Sequence, residues 1–116
     1  MVDTMSVAYV DEVQKIKALA PLTDADIARA TGSSAGTVAA WRAHRQVPRG
    51  ARAHRLVELS ALVERLSSVM QADYIPVWLN KPVPRLEHRA PADVLAGGGY
   101  ERVSGAIGEL EYPTFS

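Results

Sequence analysis

Between Thr23 and Trp41 the chain reads TDADIARATGSSAGTVAAW, and that spacing constrains the fold more than any other feature. Ala28 is small where two helices would cross, Gly32 can take the positive φ of a tight turn, and Ile27, Val38 and Trp41 supply a buried face. The spacing predicts a helix-turn-helix. Around it, the stretch from Ile27 to Val57 carries Arg29, Arg42, Arg45, Arg49, Arg52 and Arg55 without one Asp or Glu, although the whole chain has a formal net charge of +0. A basic surface beside such a motif reads first as a nucleic-acid footprint. The rest of the chain is correspondingly acidic, so two partners of different character are expected.

A chain of 116 residues supports one compact domain, or two small helical lobes that share a core, and is short for most enzyme folds. It has no cysteine, which excludes disulfides and thiolate metal sites and favours an intracellular home. No apolar run approaches a membrane span, and Asp3, Asp11 and Glu12 interrupt any signal-peptide core. The expected location is the cytoplasm, and no cofactor is expected.

The apolar pattern is helical almost throughout. Tyr9, Val13, Ile16 and Ala20 recur at helical spacing, and Pro21 disfavours continuation, giving a first helix. Thr23 is a good N-cap for the second, with Asp24 and Asp26 at the positive end of its dipole, and Gly32 ends it. Ser33 or Ser34 caps a third helix that runs to about Arg45 before Pro48. The fourth is expected from about Arg49 to Met70. Its stripe of Leu56, Leu59, Val63, Leu66 and Met70, broadened by Leu62 and Val69, is wide enough that a second subunit is the natural cover. Leu59, Val63, Leu66 and Met70 are therefore the expected dimerisation residues.

Past Met70 a short helix is expected over residues 73–80, carrying Tyr74, Val77 and Trp78. Lys81-Pro82-Val83-Pro84 cannot be helical in its interior. Further short helices are expected over 91–96 and 100–108, separated by Gly97-Gly98-Gly99, which reads as a helix stop and hinge. The end, residues 109–116, offers Tyr112, Pro113 and Phe115. The fold class is all-α, an N-terminal helix-turn-helix lobe (1–70) joined through its long fourth helix to a smaller helical lobe (71–116).

Trp78-Leu79-Asn80-Lys81-Pro82, then Leu86, then Pro91-Ala92-Asp93-Val94-Leu95, then Gly99 followed by Val103 and Ile107, resembles the C-terminal domain of Xre/MbcA/ParS-type antitoxins, which follows an Xre-like helix-turn-helix as it does here. The resemblance covers roughly residues 24–115. His88 departs from it, standing where the family often has Gly. The resemblance implies a non-enzymatic antitoxin that binds a RES-domain toxin which breaks down NAD, covers its active site with the C-terminal domain, and often represses its own operon. On that basis Trp78, Arg85, Glu87, His88, Arg89, Tyr112, Pro113 and Phe115 are the candidate toxin-binding residues. Phe115 has a second reading, in which it folds back onto the chain's own core.

For DNA, the groove-facing positions of the third helix would be about Ser34, Ala35, Gly36 and Ala40. These are poor base readers, because discriminating contacts come mostly from Arg, Lys, Asn and Gln. Phosphate contacts are better supplied, by Ser33, Ser34, Thr37, Arg42, Arg45 and Arg49. The bland alternative is an arginine face that is solvated or paired with Glu58 and Glu64. Gly32-Ser33-Ser34-Ala35-Gly36 matches G-x-S-x-G but lacks the preceding strand that a nucleophile elbow needs. His44, His54 and His88 have no second ligand at metal spacing. Two other functions fit the motif: a stand-alone DNA-binding regulator, and an interaction adaptor whose helix-turn-helix no longer binds DNA.

Overall fold

The computed structural model describes the backbone of residues 4–113 and the side chains of residues 12–113. Among the described residues the fold is all-α, with seven α-helices and no strand: α1 (Thr4–Leu19), α2 (Asp24–Thr31), α3 (Ala35–Arg42), α4 (Gly50–Leu66), α5 (Ile75–Asn80), α6 (Pro91–Ala96) and α7 (Tyr100–Glu111).

Local chemistry sets the boundaries. Thr23 caps α2 by a reciprocal capping box: its Oγ1 accepts from the Asp26 amide at 3.1 Å, and its own amide donates to Asp26 Oδ2 at 2.9 Å. Gly32, at φ +72°, closes the same helix in the left-handed region, and the Ser33 amide reaches back to the Ala28 carbonyl at 2.9 Å. The α3 helix stops at Arg42, short of the expected Arg45, because the same Schellman closure is made there. His44 takes φ +63°, and the Arg45 amide donates to the Ala40 carbonyl at 2.8 Å. Pro91 begins α6, where its missing N–H costs nothing.

Two expectations need correction at the turns. The segment 73–80 is not one helix: a 3₁₀ turn over Ala72–Tyr74 precedes α5, and a second 3₁₀ turn, Pro84–Leu86, occupies the proline-rich loop. The triple glycine is not a loose hinge. The amides of Gly98 and Gly99 donate to the carbonyls of Leu95 and Val94, a tight closure of α6 with Gly98 at φ +92°. A β-carbon on Gly99 would lie 2.5 Å from Val94 Cγ1.

Helix α1 packs along α4, while the short α2 lies against α3, α4 and α6, burying Ile27, Ala28, Ala30 and Thr31. Helix α7 covers another side of α4. Arg65 fastens this last contact, donating to both Glu111 oxygens (2.6 and 3.1 Å) and to Ser104 Oγ (2.6 Å).

One continuous apolar cluster runs from Val13 and Ile16 through Trp41, Leu59 and Leu66 to Trp78, Leu95 and Ile107, so residues before and after position 70 share a core. This overturns the assignment of Leu59, Val63 and Leu66 to a dimer interface. All three are 0 % exposed within the single chain, and Met70 is half-buried against the same cluster. Each buried Leu contributes about 1.5–3 kcal/mol, and here α4 obtains that burial from its own chain. The helix also ends at Leu66, four residues before the expected Met70.

Candidate functional site

At the start of α3 the hydroxyls are committed to the fold. Ser34 Oγ accepts from the Thr37 amide at 3.1 Å and shares a 3.0 Å hydrogen bond with Thr37 Oγ1. Ser33 Oγ accepts from the buried Thr31 hydroxyl at 3.1 Å. Ala35 and Gly36 face solvent, whereas Ala40, expected to face a groove, is buried.

The arginines divide into two groups. Arg42 turns away from α3's amino end and makes two hydrogen bonds to Asp24 (2.8 and 3.3 Å), which also takes Lys17 at 3.1 Å. The Arg42 guanidinium holds the Asp24 carboxyl below the usual carboxylate range, with Lys17 assisting. Arg55 and His54 share Glu58, and Glu64 goes to Lys15. Of the pairings weighed from the sequence, only Arg55's is formed among the described arginines. Arg45, Arg49 and Arg52 have no carboxylate partner among the described residues, and together they line a cavity of about 470 Å³ between the end of α3 and the start of α4. Thr37, Trp41 and Gln46 contribute to its wall.

The C-terminal candidates also separate. Trp78 is 6 % exposed and belongs to the core, not to an accessible contact surface, because its side of α5 packs on the rest of the chain. Arg85 pairs with Glu109 (2.7 Å) and Glu87 with Arg102 (2.6 Å), so both are pinned to α7 on the surface. Glu87 and His88 both adopt positive φ, +58° and +62°, and the Arg89 amide donates to the Leu86 carbonyl at 3.1 Å. That is a type I′ turn, which normally selects Asn-Gly. The family's glycine at position 88 is thereby explained: it is a left-handed position that His occupies under strain. His88 and Arg89 are exposed, as are Tyr112, at 80 %, and Pro113; Phe115 lies outside the described residues.

Sequence reasoning missed three features of this half. Tyr74 and Val77 face solvent on one side of α5, with Lys81 donating to the Tyr74 hydroxyl at 2.8 Å and lying 5.4 Å from its ring centre; helical spacing within 74–78 was the available signal. Leu110 is also exposed. Most informative is Arg29, which grips both oxygens of Asp93 at 2.7 Å and donates to Asn80 Oδ1 at 3.0 Å. Asn80 in turn donates to Asp26 Oδ1 at 3.1 Å and to the Pro76 carbonyl at 2.8 Å. Two polar residues of the antitoxin-like motif thus bind α2 instead of facing outward, and Arg29 holds the Asp93 carboxyl below its ordinary range.

Among the described residues no group of His, Cys, Asp and Glu is placed to hold a metal ion, and no helix is long and apolar enough to cross a membrane. The surface therefore offers docking chemistry: a basic cavity at one place, and a strained turn, exposed apolar side chains and a projecting Tyr112 at another.

No family model matches the chain. It is 34 % identical over 94 residues to the mycobacterial cidal antitoxin MbcA of Mycobacterium tuberculosis and of Mycobacterium bovis, covering 81 % of this chain and 83 % of theirs. A chain from the crystal structure of the M. tuberculosis MbcT–MbcA toxin–antitoxin complex superposes with a TM-score of 0.76 at 29 % identity, over 99 % of this chain and 100 % of that one. With the match running through both the helix-turn-helix and the Asn80/Asp93 motif that docks on it, the chain belongs to the MbcA family of antitoxins.

Proposed function

We propose that this protein is a cytoplasmic, non-enzymatic antitoxin that neutralises a RES-domain, NAD-degrading toxin by covering its active site, and that it represses its own operon through the basic surface of α3 and α4. The observation that carries the reading is the full-length likeness to a chain from the MbcT–MbcA toxin–antitoxin complex. The toxin-facing surface is the turn around His88 and Arg89 with the exposed end at Tyr112, Pro113 and Phe115. Tyr112 supports this, since an 80 % exposed aromatic has no role in the chain's own packing and aromatics dominate interface anchoring. Pro113 limits the conformations that must be frozen on binding.

The test is co-expression with the neighbouring toxin, reading cellular NAD and complex formation together. The full chain restores NAD. Deleting residues 112–116 leaves the helical fold and the complex but allows NAD loss, and Phe115→Ala does so in part. Full protection by the truncated chain would show that the end is not the plug, and absence of any complex with the full chain would overturn the antitoxin reading. A promoter fusion to the operon's upstream region reads the repression separately.

A further inference from the structure

We infer that the cavity between the end of α3 and the start of α4 seats a backbone phosphate of duplex DNA, and that DNA meets the chain there instead of at the amino-terminal end of the reading helix. This rests on the DNA-binding part of the proposed function and locates its contact.

The charge pattern points to the cavity. Arg29, Arg42, Arg55, Arg65, Arg85 and Arg102 are each in contact with a carboxylate. Arg45, Arg49 and Arg52 are not, among the described residues, and all three line the same cavity of about 470 Å³. Guanidinium groups match phosphate oxygens in a fork geometry, and clustered ones left without counter-charge favour an anion. A water molecule claims roughly 30 Å³, so the cavity has room for a phosphate with part of its hydration.

The backbone agrees. The closing carbonyls of α3 are already occupied: Ala40 accepts from the Arg45 and Gln46 amides and Trp41 from the His44 amide. An entering anion therefore does not meet bare acceptors. On the other wall, the seventeen-residue α4 begins at Gly50 with Arg49 as its N-cap and no side-chain cap hydrogen bond, which adds the positive end of a helix dipole to the three guanidinium groups.

The alternative location is unfavourable for the same kind of reason. The amino end of α2 carries Asp24 and Asp26, and the hydroxyls at the start of α3 are hydrogen-bonded to each other, leaving Ala35 and Gly36 outward. A phosphate placed there faces carboxylates. Duplex DNA is favoured over a free nucleotide because Trp41 is only 2 % exposed, so the cavity offers no open aromatic face for a base.

The experiment is anisotropy of labelled duplexes, one carrying the operon's upstream region and one scrambled, titrated across a KCl series with the full chain. The wild type binds both. Combined Arg45→Ala, Arg49→Ala and Arg52→Ala weakens both alike and reduces the slope of log K against log salt by about 2.7, roughly 0.9 for each phosphate contact. Arg→Lys at the same three positions retains most of the slope. Arg42→Ala, which only frees Asp24, leaves it as it is. The three arginines are exposed, and equal thermal midpoints check that the variants are folded. Wild-type binding with an unchanged slope in the triple alanine variant would overturn the seat while leaving DNA binding intact. Failure of the wild type to bind either duplex would overturn both, and binding of free ATP as tight as that of duplex would overturn the choice of occupant.

Discussion

Replacing Gly99 by Ala adds one methyl group at the tightest backbone contact described above. Its carbon would sit 2.5 Å from Val94 Cγ1 and 3.0 Å from the Val94 carbonyl oxygen, against an ordinary carbon–carbon separation of about 3.5–4.0 Å. About 1 Å must be relieved, and Val94 cannot swing aside cheaply, being 2 % exposed and stiff at χ1. Overpacking of this kind costs about 1–3 kcal/mol. Gly99 is also the N-cap of α7, where Ala is poorer by about 0.5 kcal/mol, while the lost freedom of the unfolded chain returns about 0.4–1 kcal/mol. The net destabilisation is about 1–3 kcal/mol, or roughly 4–12 °C in midpoint at about 4 °C per kcal/mol. Thermal unfolding followed by circular dichroism reads it. Val94→Ala removes the colliding methyl, so in that background Gly99→Ala costs markedly less, with a coupling of about 1–2 kcal/mol. Strict additivity of the two substitutions, or a neutral Gly99→Ala, would refute the steric account.

Leu66→Asp places a carboxylate in the centre of the shared core and yields an unfolded chain; a folded monomer in sedimentation would return Leu66 to an interface. His88→Gly relieves a left-handed residue costing about 1–2 kcal/mol, part of which glycine's unfolded-state entropy cancels, for a net gain of about 0.5–1 kcal/mol in denaturant unfolding; equal or lower stability contradicts the strain. Asp24 and Asp93 are held below their ordinary value of 3.8, so the stability they contribute is complete above that pH and fades as the pH falls through and below it. Asp93→Asn should therefore lower stability at neutral pH by a modest amount, as expected of a half-exposed pair, and flatten the acid limb; an unchanged acid limb counts against the Arg29 contact.

What the sequence disclosed was what acts locally. A cap, a proline at a first turn or a glycine after a last one does its work within four residues, and Thr23, Pro91 and Gly32 were read correctly for that reason. Arg29 and Asp93 lie 64 residues apart, and nothing around either announces the other. The breadth of the α4 stripe was visible, but the cover provided by α1 and α7 is a property of the packed chain, so the stripe seemed to require a second subunit. The arginine run likewise revealed its charge but not its division, since Asp24 lies outside the run and claims Arg42 from the far end of α2. The left-handed conformation at His44 and His88 carried no signal because the usual glycine is absent from both.

The contacts that Arg29 makes with Asp93 and Asn80 have a consequence for how long any activity of this chain persists. They staple α2 to α5 and α6 over an unbroken core, so residues 24–49 and 75–113 open together or not at all. A protease that waits for unfolding sees one threshold, and a lesion that lowers it, wherever it falls, shortens the life of both surfaces by the same factor.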